Sequence, residues 1–406
     1  MNESPRNGSA IRILHVLGGM NRGGAETWLM HVLRSMNRGS FRMDFAVHTE
    51  SQCTYDDEIR SLGSRVIPCT NPHRPVSYAR QLRQILNQYG PYDVVHSHVH
   101  HFTGLVLKVA CAAGVPVRIA HSHNDTRVAE RGSSVLRNGY LRLMEWCIRR
   151  YATRGFAASA QAAASLFGEG WRVDPRWRTL YCGIDLDAFR CPLASSRIRA
   201  ELGLPADGLV VGHVGRFSDQ KNHAFVLDVA VEIVKREPST WFLFVGDGPL
   251  RARTERDANV RGLSHRAVFA GERADVPRLM RSVMDVLVFP SLFEGLPLVL
   301  LESQAAGLPA LISDVVTGEA EVVAQLVHRL SLSESAGTWA DTLLQIAHRP
   351  LDVSREEALQ QMEASPFNIR TSISELASEY RDRLQCAVHA PSVKWPGRCS
   401  GRFIWS

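Results

Sequence analysis

Several absences narrow the reading before any motif is considered. Apolar runs such as "PLVLLE" and "MDVLVFP" fall far short of the roughly 18 residues that a membrane span needs. The N-terminus "MNESPRNGSAIRILHVLGG" lacks a signal-peptide pattern, because its apolar stretch is short and opens a strand-like segment, so a cytoplasmic location is expected. The eight cysteines (Cys53, Cys69, Cys111, Cys147, Cys182, Cys191, Cys386 and Cys399) include no close pair at metal-ligand spacing. They read as reduced packing residues. What remains is a soluble globular composition, 45% hydrophobic and 22% charged, in 406 residues. That length predicts two domains of roughly 100–200 residues each. The modest excess of six positive charges suits anionic partners such as phosphates or an acidic membrane surface.

Strand-like runs alternate with helical patterns throughout, which predicts α/β architecture with parallel sheets. In the first half the strands are placed at 11–17, 45–49, 65–69, 93–98, 117–122 and 155–159, with helices between them at 25–36 and 77–89. A polar stretch containing proline, "DLDAFRCPLASS" (185–196), interrupts the pattern and marks a domain boundary. The alternation restarts with strands at 209–217, 241–248, 267–271, 285–291 and 309–313. The expected fold is two doubly wound, Rossmann-like domains, 1–190 and 191–368, facing across a cleft where ligands meet the carboxyl ends of the strands. An amphipathic helix is expected over 369–385 and an irregular tail over 386–406.

Four segments carry candidate chemistry. The loop "GGMNRGGAE" (18–26) leads from the first strand to the first helix, where glycines admit close backbone approach and a helix N-terminus offers N–H groups to an anion. Its spacing does not fit the G-x-G-x-x-G dinucleotide fingerprint, although Glu50 could serve as a ribose ligand; a tight turn without a ligand is the plainer reading. In "HVGRFSDQKNH" (213–223), Arg216 and Lys221 follow a strand end and together suit a diphosphate, the guanidinium by paired hydrogen bonds and the ammonium as a movable charge. In "SLFEGLPLVLLE" (291–302), Pro297 suits the first turn of a helix, with Glu294 before it, Glu302 inside it, and Gly295 and Leu296 at its positive end. That segment could grip an anion by its backbone and hydroxyls by its carboxylates. A retaining glycosidase pair and two acids on a solvated helix are the rival readings. Finally, "RIAHSHND" ends the fifth strand with His121 and His123 on one face. A metal site would need more ligands; "HSHVHH" (96–101) holds histidines, but no cysteine or carboxylate stands at motif spacing with them, so no metal is expected.

Together these segments resemble the retaining glycosyltransferases of family 4, which have the GT-B fold. The matching stretches are "GGAE" (23–26), "DVVHSH" (93–98), "GVPVRIAHSHN" (114–124), "YCGIDLDAF" (181–189), "GHVGRFSDQKNH" (212–223), "LFVGDGPLR" (243–251) and "SLFEGLPLVLLESQAAGLP" (291–309), in order over roughly residues 11–385. The likeness is to members that assemble bacterial exopolysaccharide or capsule repeat units. It implies that Arg216 and Lys221 bind the donor diphosphate, Glu302 the ribose, and Glu294 the donor-sugar hydroxyls. Gly295, Leu296 and Pro297 would lie beside sugar and phosphate, Gly23 and Gly24 would face the phosphate, and the backbone near Arg273 would hold the base. Either His121 or His123 would face the transferred sugar. The resemblance further implies no cofactor, a metal-independent reaction, and a terminal helix that crosses back to the first domain.

For the acceptor, residues 118–154 carry eight arginines among Leu, Trp and Tyr, against Asp125, Glu130 and Glu145. Such a mixture suits an anionic membrane surface bearing a lipid-linked glycan, and equally a buried helix with snorkelling arginines. No nucleic-acid partner is expected. A nucleotide-sugar epimerase of the same fold and a non-catalytic nucleotide-sugar-binding subunit are the alternative functions.

Overall fold

The computed structural model describes residues 10–127, 134–190 and 195–389. The first sheet has the order β3-β2-β1-β4-β5-β6-β7. Its strands are β1 (Ile11–Leu17), β2 (Phe41–Val47), β3 (Val66–Pro68), β4 (Val94–Ser97), β5 (Val117–Ser122), β6 (Arg154–Ala157) and β7 (Trp177–Thr179). The second has the order β10-β9-β8-β11-β12-β13. It comprises β8 (Val210–Val214), β9 (Trp241–Val245), β10 (Ala267–Phe269), β11 (Val286–Phe289), β12 (Ala310–Ser313) and β13 (Val327–Leu330). All pairings within these sheets are parallel. Both orders reverse direction at their first strand, beside β4 and β11, and such switch points open a crevice at the carboxyl ends of the strands.

The strand sequences explain this topology. "VLVF" in β11 and "ALIS" in β12 are buried at every position, as strands covered by helices on both faces must be. Full burial of a Val, Leu or Phe side chain contributes roughly 1.5–3 kcal/mol, so these short central strands are well anchored. The β7 and β13 strands were not foreseen. They are edge strands of three and four residues whose sequences, "WRT" and "VHRL", contain no apolar run.

The last helix, Ile369–His389, follows the second sheet but packs on the first. Trp28 Nε1, from the helix Gly24–Ser35, donates to Ser372 Oγ at 2.9 Å. Glu379 receives Arg154 at 2.9 Å and Arg178 at 3.1 Å. The crossing is therefore held by a buried indole and a partly buried ion cluster. The helix also runs past the expected boundary at 385: residues 386–389 are helical rather than irregular, and 390–406 lie outside the described residues.

Candidate active site

The switch points of both sheets open into one cleft of 670 Å³. On the second-sheet side, β8 ends at Val214 and the chain turns through Gly215 and Arg216 into a short 3-10 turn, Asp219–Lys221. Asn222 then adopts a left-handed conformation (φ 54°) and launches the helix His223–Arg236. The Lys221 stem folds back over Gly215, where an added Cβ would lie 3.1 Å from Lys221 Cε. A second turn, after β11, is tied to the first: Leu292 N donates to Gln220 O at 2.8 Å and Gln220 Nε2 to Phe293 O at 2.9 Å.

This pairing of turns joins Lys221 and Glu294 directly. Their Nζ–Oε1 distance is 2.6 Å, Glu294 is buried, and the ammonium lies 4.4 Å from the centre of the Phe289 ring. The two residues were read from separate motifs as ligands of different parts of one molecule; their mutual ion pair is a new feature. Buried ionisable groups need such partners, so each fixes the other in place.

Pro297 is the N-cap of its helix (φ −77°, ψ 99°), and Leu298–Ala305 forms the helix proper, so the first-turn expectation is corrected by one position. Pro297 itself takes extended backbone, so the helical residues begin after it. Glu302 is then the fifth helical residue and lines the cleft. Part of its surface meets the cleft, yet protein atoms surround the carboxyl, and desolvation pushes its pKa up to about 7.

Gly295 is placed differently from its neighbours Glu294, Leu296 and Pro297, which line the cleft. A Cβ on Gly295 would sit 2.0 Å from the His123 carbonyl oxygen and 2.8 Å from Asn124 Cα. The glycine is thus required where the two halves touch, backbone against backbone. Gly24 lies more loosely against the Leu298 side chain, with space for a Cβ 3.7 Å from Leu298 Cδ1. Gly23, the N-cap of Gly24–Ser35, and Arg273, ion-paired with Asp275 at 2.8 Å, also line the cleft.

The first-sheet side contributes neutral groups. His15 on β1, His96 on β4, His98 just beyond it, His121 on β5 and His123 beyond that form one layer. His123 and His98 line the cleft, whereas His121 is completely buried. Desolvation lowers the His123 imidazole to about 4 and His15 to about 3, and drives His96, His98 and His121 far below their usual range. The layer is therefore uncharged at neutral pH. Glu26, in the first turn of Gly24–Ser35, also faces the cleft; burial raises its carboxyl pKa, and Arg216 across the cleft acts in the opposite direction.

Sequence reading missed His98 and Glu26 as cleft-lining groups and His15 as a buried member of the histidine layer. Glu26 and His98 do lie inside the quoted stretches "GGAE" and "DVVHSH", but His15 carries no motif signal, being one polar residue in an apolar strand. Only the strand order, which sets β1 beside β4 with His15 opposite His96, brings it in.

Comparison with known proteins bears on this geometry. The family model "Glycosyl transferases group 1" matches residues 195–363, and "Glycosyltransferase Family 4" matches residues 22–188. EpsF of Bacillus subtilis (strain 168), a glycosyltransferase by name, is 39% identical over 88% of this chain and 93% of its own. The chain is a family 4 glycosyltransferase. The enzyme is also 25% identical to the Staphylococcus aureus capsular polysaccharide biosynthesis glycosyltransferase CapH, over 92% of this chain and 99% of CapH. It is 28% identical to the Escherichia coli UDP-Gal:alpha-D-GlcNAc-diphosphoundecaprenol alpha-1,3-galactosyltransferase, over 64% of this chain and 67% of that protein. Its fold matches that of Anabaena Alr3699/HepE in complex with UDP-glucose, with a TM-score of 0.75 at 18% identity, covering 92% and 100% of the two chains. The glycosyltransferase therefore has the GT-B fold: two Rossmann-like sheets with a last helix returning to the first.

Proposed function

We propose that this glycosyltransferase moves a sugar from a nucleoside-diphosphate donor to a lipid-linked glycan, with retention of anomeric configuration, in assembly of an exopolysaccharide, capsule or lipopolysaccharide. One observation carries the reading: Arg216, Lys221, Glu294, Glu302, Gly23, Gly24 and His123 line a single cleft. Departure of the nucleoside diphosphate builds negative charge on phosphate and positive charge on the anomeric carbon. Arg216 and Lys221 meet the former, with the start of the helix Leu298–Ala305 adding its positive end. Donors held ready for developing charge in such sites are each worth roughly 3–4 kcal/mol. In this reading the transfer step takes its charge stabilisation from these groups and needs no metal or cofactor.

Glu302 then accepts hydrogen bonds from the ribose and Glu294 from the donor sugar, while Lys221 bridges Glu294 to the diphosphate. Leu296 and Pro297 pack beside the sugar, the backbone near Arg273 holds the base, and His123 faces the transferred sugar. Gly295 acts by letting the His123 backbone approach, and His121 acts from behind His123. The solved HepE complex holds UDP-glucose in the same fold, and the E. coli relative is named for a diphosphoundecaprenol acceptor, which supports the donor and acceptor classes.

The acceptor side is supported by the helix Val135–Tyr151. Leu141, Met144, Cys147 and Ile148 face the core, yet Val135, Leu136, Leu143 and Trp146 are exposed, the first two by 88% and 87%. Arg137, Arg142, Arg149 and Arg150 are exposed on the same helix. A second apolar stripe among cations fits the interface of an anionic bilayer. Residues 128–133 of this basic segment lie outside the described residues. No helix among the described residues is long and apolar enough to cross a membrane. We place the enzyme peripherally on the cytoplasmic face.

Incubation with a panel of UDP- and GDP-linked sugars and a bacterial lipid extract tests the reaction. Sugar should move onto lipid as nucleoside diphosphate is released; conversion of free donor alone, or binding without turnover, would refute it. Vesicles containing acidic phospholipid should sediment the protein, and the double change Leu143→Ser and Trp146→Ser should weaken that at least several-fold. Equal sedimentation of both proteins removes the docking surface.

A further inference from the structure

The histidine layer holds more imidazole than one sugar contact requires. We propose that His98, His121 and His123 bind one divalent transition-metal ion, of the zinc class, at the floor of the cleft. One ring nitrogen from each lies within 4.8 Å of the other two. His98 Nδ1 and His123 Nε2 already face one another at 2.8 Å. His121 Nε2 is buried and has no hydrogen-bond partner, an arrangement that costs free energy until something occupies it.

The opposite nitrogen of each ring is already engaged. His98 Nε2 meets His15 Nδ1 at 3.0 Å, His121 Nδ1 meets His96 Nε2 at 3.1 Å, and His123 Nδ1 meets Cys182 Sγ at 3.7 Å. Metal-bound histidines characteristically donate their other N–H to such an outer acceptor, which fixes tautomer and ring orientation. Here all three outer partners are in place. Each neutral ring keeps one hydrogen, on its outer nitrogen, and presents a lone pair inward. The hydrogen shared between His98 and His123 moves to an outer nitrogen, so metal entry releases no proton from the three rings.

Zinc–nitrogen bonds of about 2.0–2.1 Å put tetrahedral ligands about 3.4 Å apart, so the His98–His123 pair, at 2.8 Å, must open slightly, while the nitrogens already lie within 4.8 Å of one another. Three imidazoles with an open fourth position suit zinc, copper or nickel better than magnesium or calcium. A second trio, His15, His96 and His98, has comparable spacing, but His15 and His96 are completely buried. His98 and His123 line the cleft and give an ion its way in. Bound there, the ion occupies the His123 lone pair; on the proposed transfer reading it inhibits the enzyme.

Cobalt(II) titrated into the whole purified chain provides the test. We expect saturation at one equivalent, with the intense visible absorption of four-coordinate cobalt and without thiolate charge-transfer bands. Stoichiometric zinc should abolish that absorption. His121→Asn and His123→Asn should each weaken cobalt binding by at least tenfold; His123 is only partly buried, so its variant serves where His121→Asn does not fold. No four-coordinate spectrum in the wild-type protein, thiolate bands, or undiminished binding in a folded His123→Asn protein would overturn the site. The measurement involves no turnover, so its failure leaves the transferase reading untouched, and failure of that reading leaves the metal site testable.

Discussion

The two walls of the cleft solve the problem of burying polar groups in opposite ways. The wall from the second sheet pairs opposite groups: Lys221 and Glu294 sit at 2.6 Å and Arg216 stands at the rim, while burial pushes Glu302 toward its neutral form. The wall from the first sheet gives up charge, holding five imidazoles neutral by desolvation and linking them to one another, to Tyr380 and to Cys182. The contrast suits a ligand that is anionic at one end and rich in hydroxyls at the other. A paired charge can be handed to a phosphate, whereas neutral imidazoles can donate or accept according to tautomer.

The contrast breaks most severely at Lys221. Lys221→Ala removes a proposed phosphate ligand and leaves Glu294 buried without its partner. Loss of one partner from a buried pair costs about 3–5 kcal/mol of stability. Loss of a charge-stabilising donor costs about 10²–10³ in kcat. The double variant Lys221→Met, Glu294→Gln should recover much of the stability but little of the activity. Turnover and thermal unfolding measured on both proteins separate the two effects; recovery of both together would mean that Lys221 serves the fold alone.

A smaller effect is expected where the walls meet. Gly295→Ala inserts a methyl 2.0 Å from the His123 carbonyl oxygen. The loop must retreat, at about 1–3 kcal/mol for overpacking. The substitution should cut turnover by more than tenfold through misplacement of His123 relative to Glu294. Full activity in Gly295→Ala would show that this approach does not set the distance between the walls.

The legibility of these features followed their range along the chain. Alternating apolar runs marked the central strands, including β1 and β5 at their observed ends, because local pattern dictates them. The Lys221–Glu294 pair was not legible, since it spans 73 residues and depends on one turn being hydrogen-bonded to another. The histidine layer was half legible: alternation set His121 and His123 on one face, but β4 and β5 adjacency was needed to join them to His96 and His98. Gly295 carried a misleading signal. A glycine before a helix reads as an anion cradle, and its observed constraint is a backbone from the other half of the molecule.

The subtlest expected effect sharpens the contrast through pH. The first-sheet histidines have folded pKa values lowered from 6.5, to about 4 for His123, so between those values the unfolded chain binds more protons and stability rises with pH. Glu302 acts with the opposite sign. Its folded pKa is raised from 4.5 to about 7, so the folded state holds the extra proton over that interval and stability falls as pH rises. The two walls thus pull the wild-type profile in opposite directions between pH 4.5 and 6.5. Glu302→Gln removes one slope and leaves the other. Its stability relative to wild type should therefore increase steadily from pH 4.5 to 7 and level off above, while donor affinity falls by up to about tenfold for a lost neutral hydrogen bond of roughly 0.5–1.5 kcal/mol. Denaturant unfolding of both proteins across this range checks the sign directly. Parallel profiles would mean that Glu302 is solvated in the free enzyme, and the second wall would then hold no neutral acid at physiological pH.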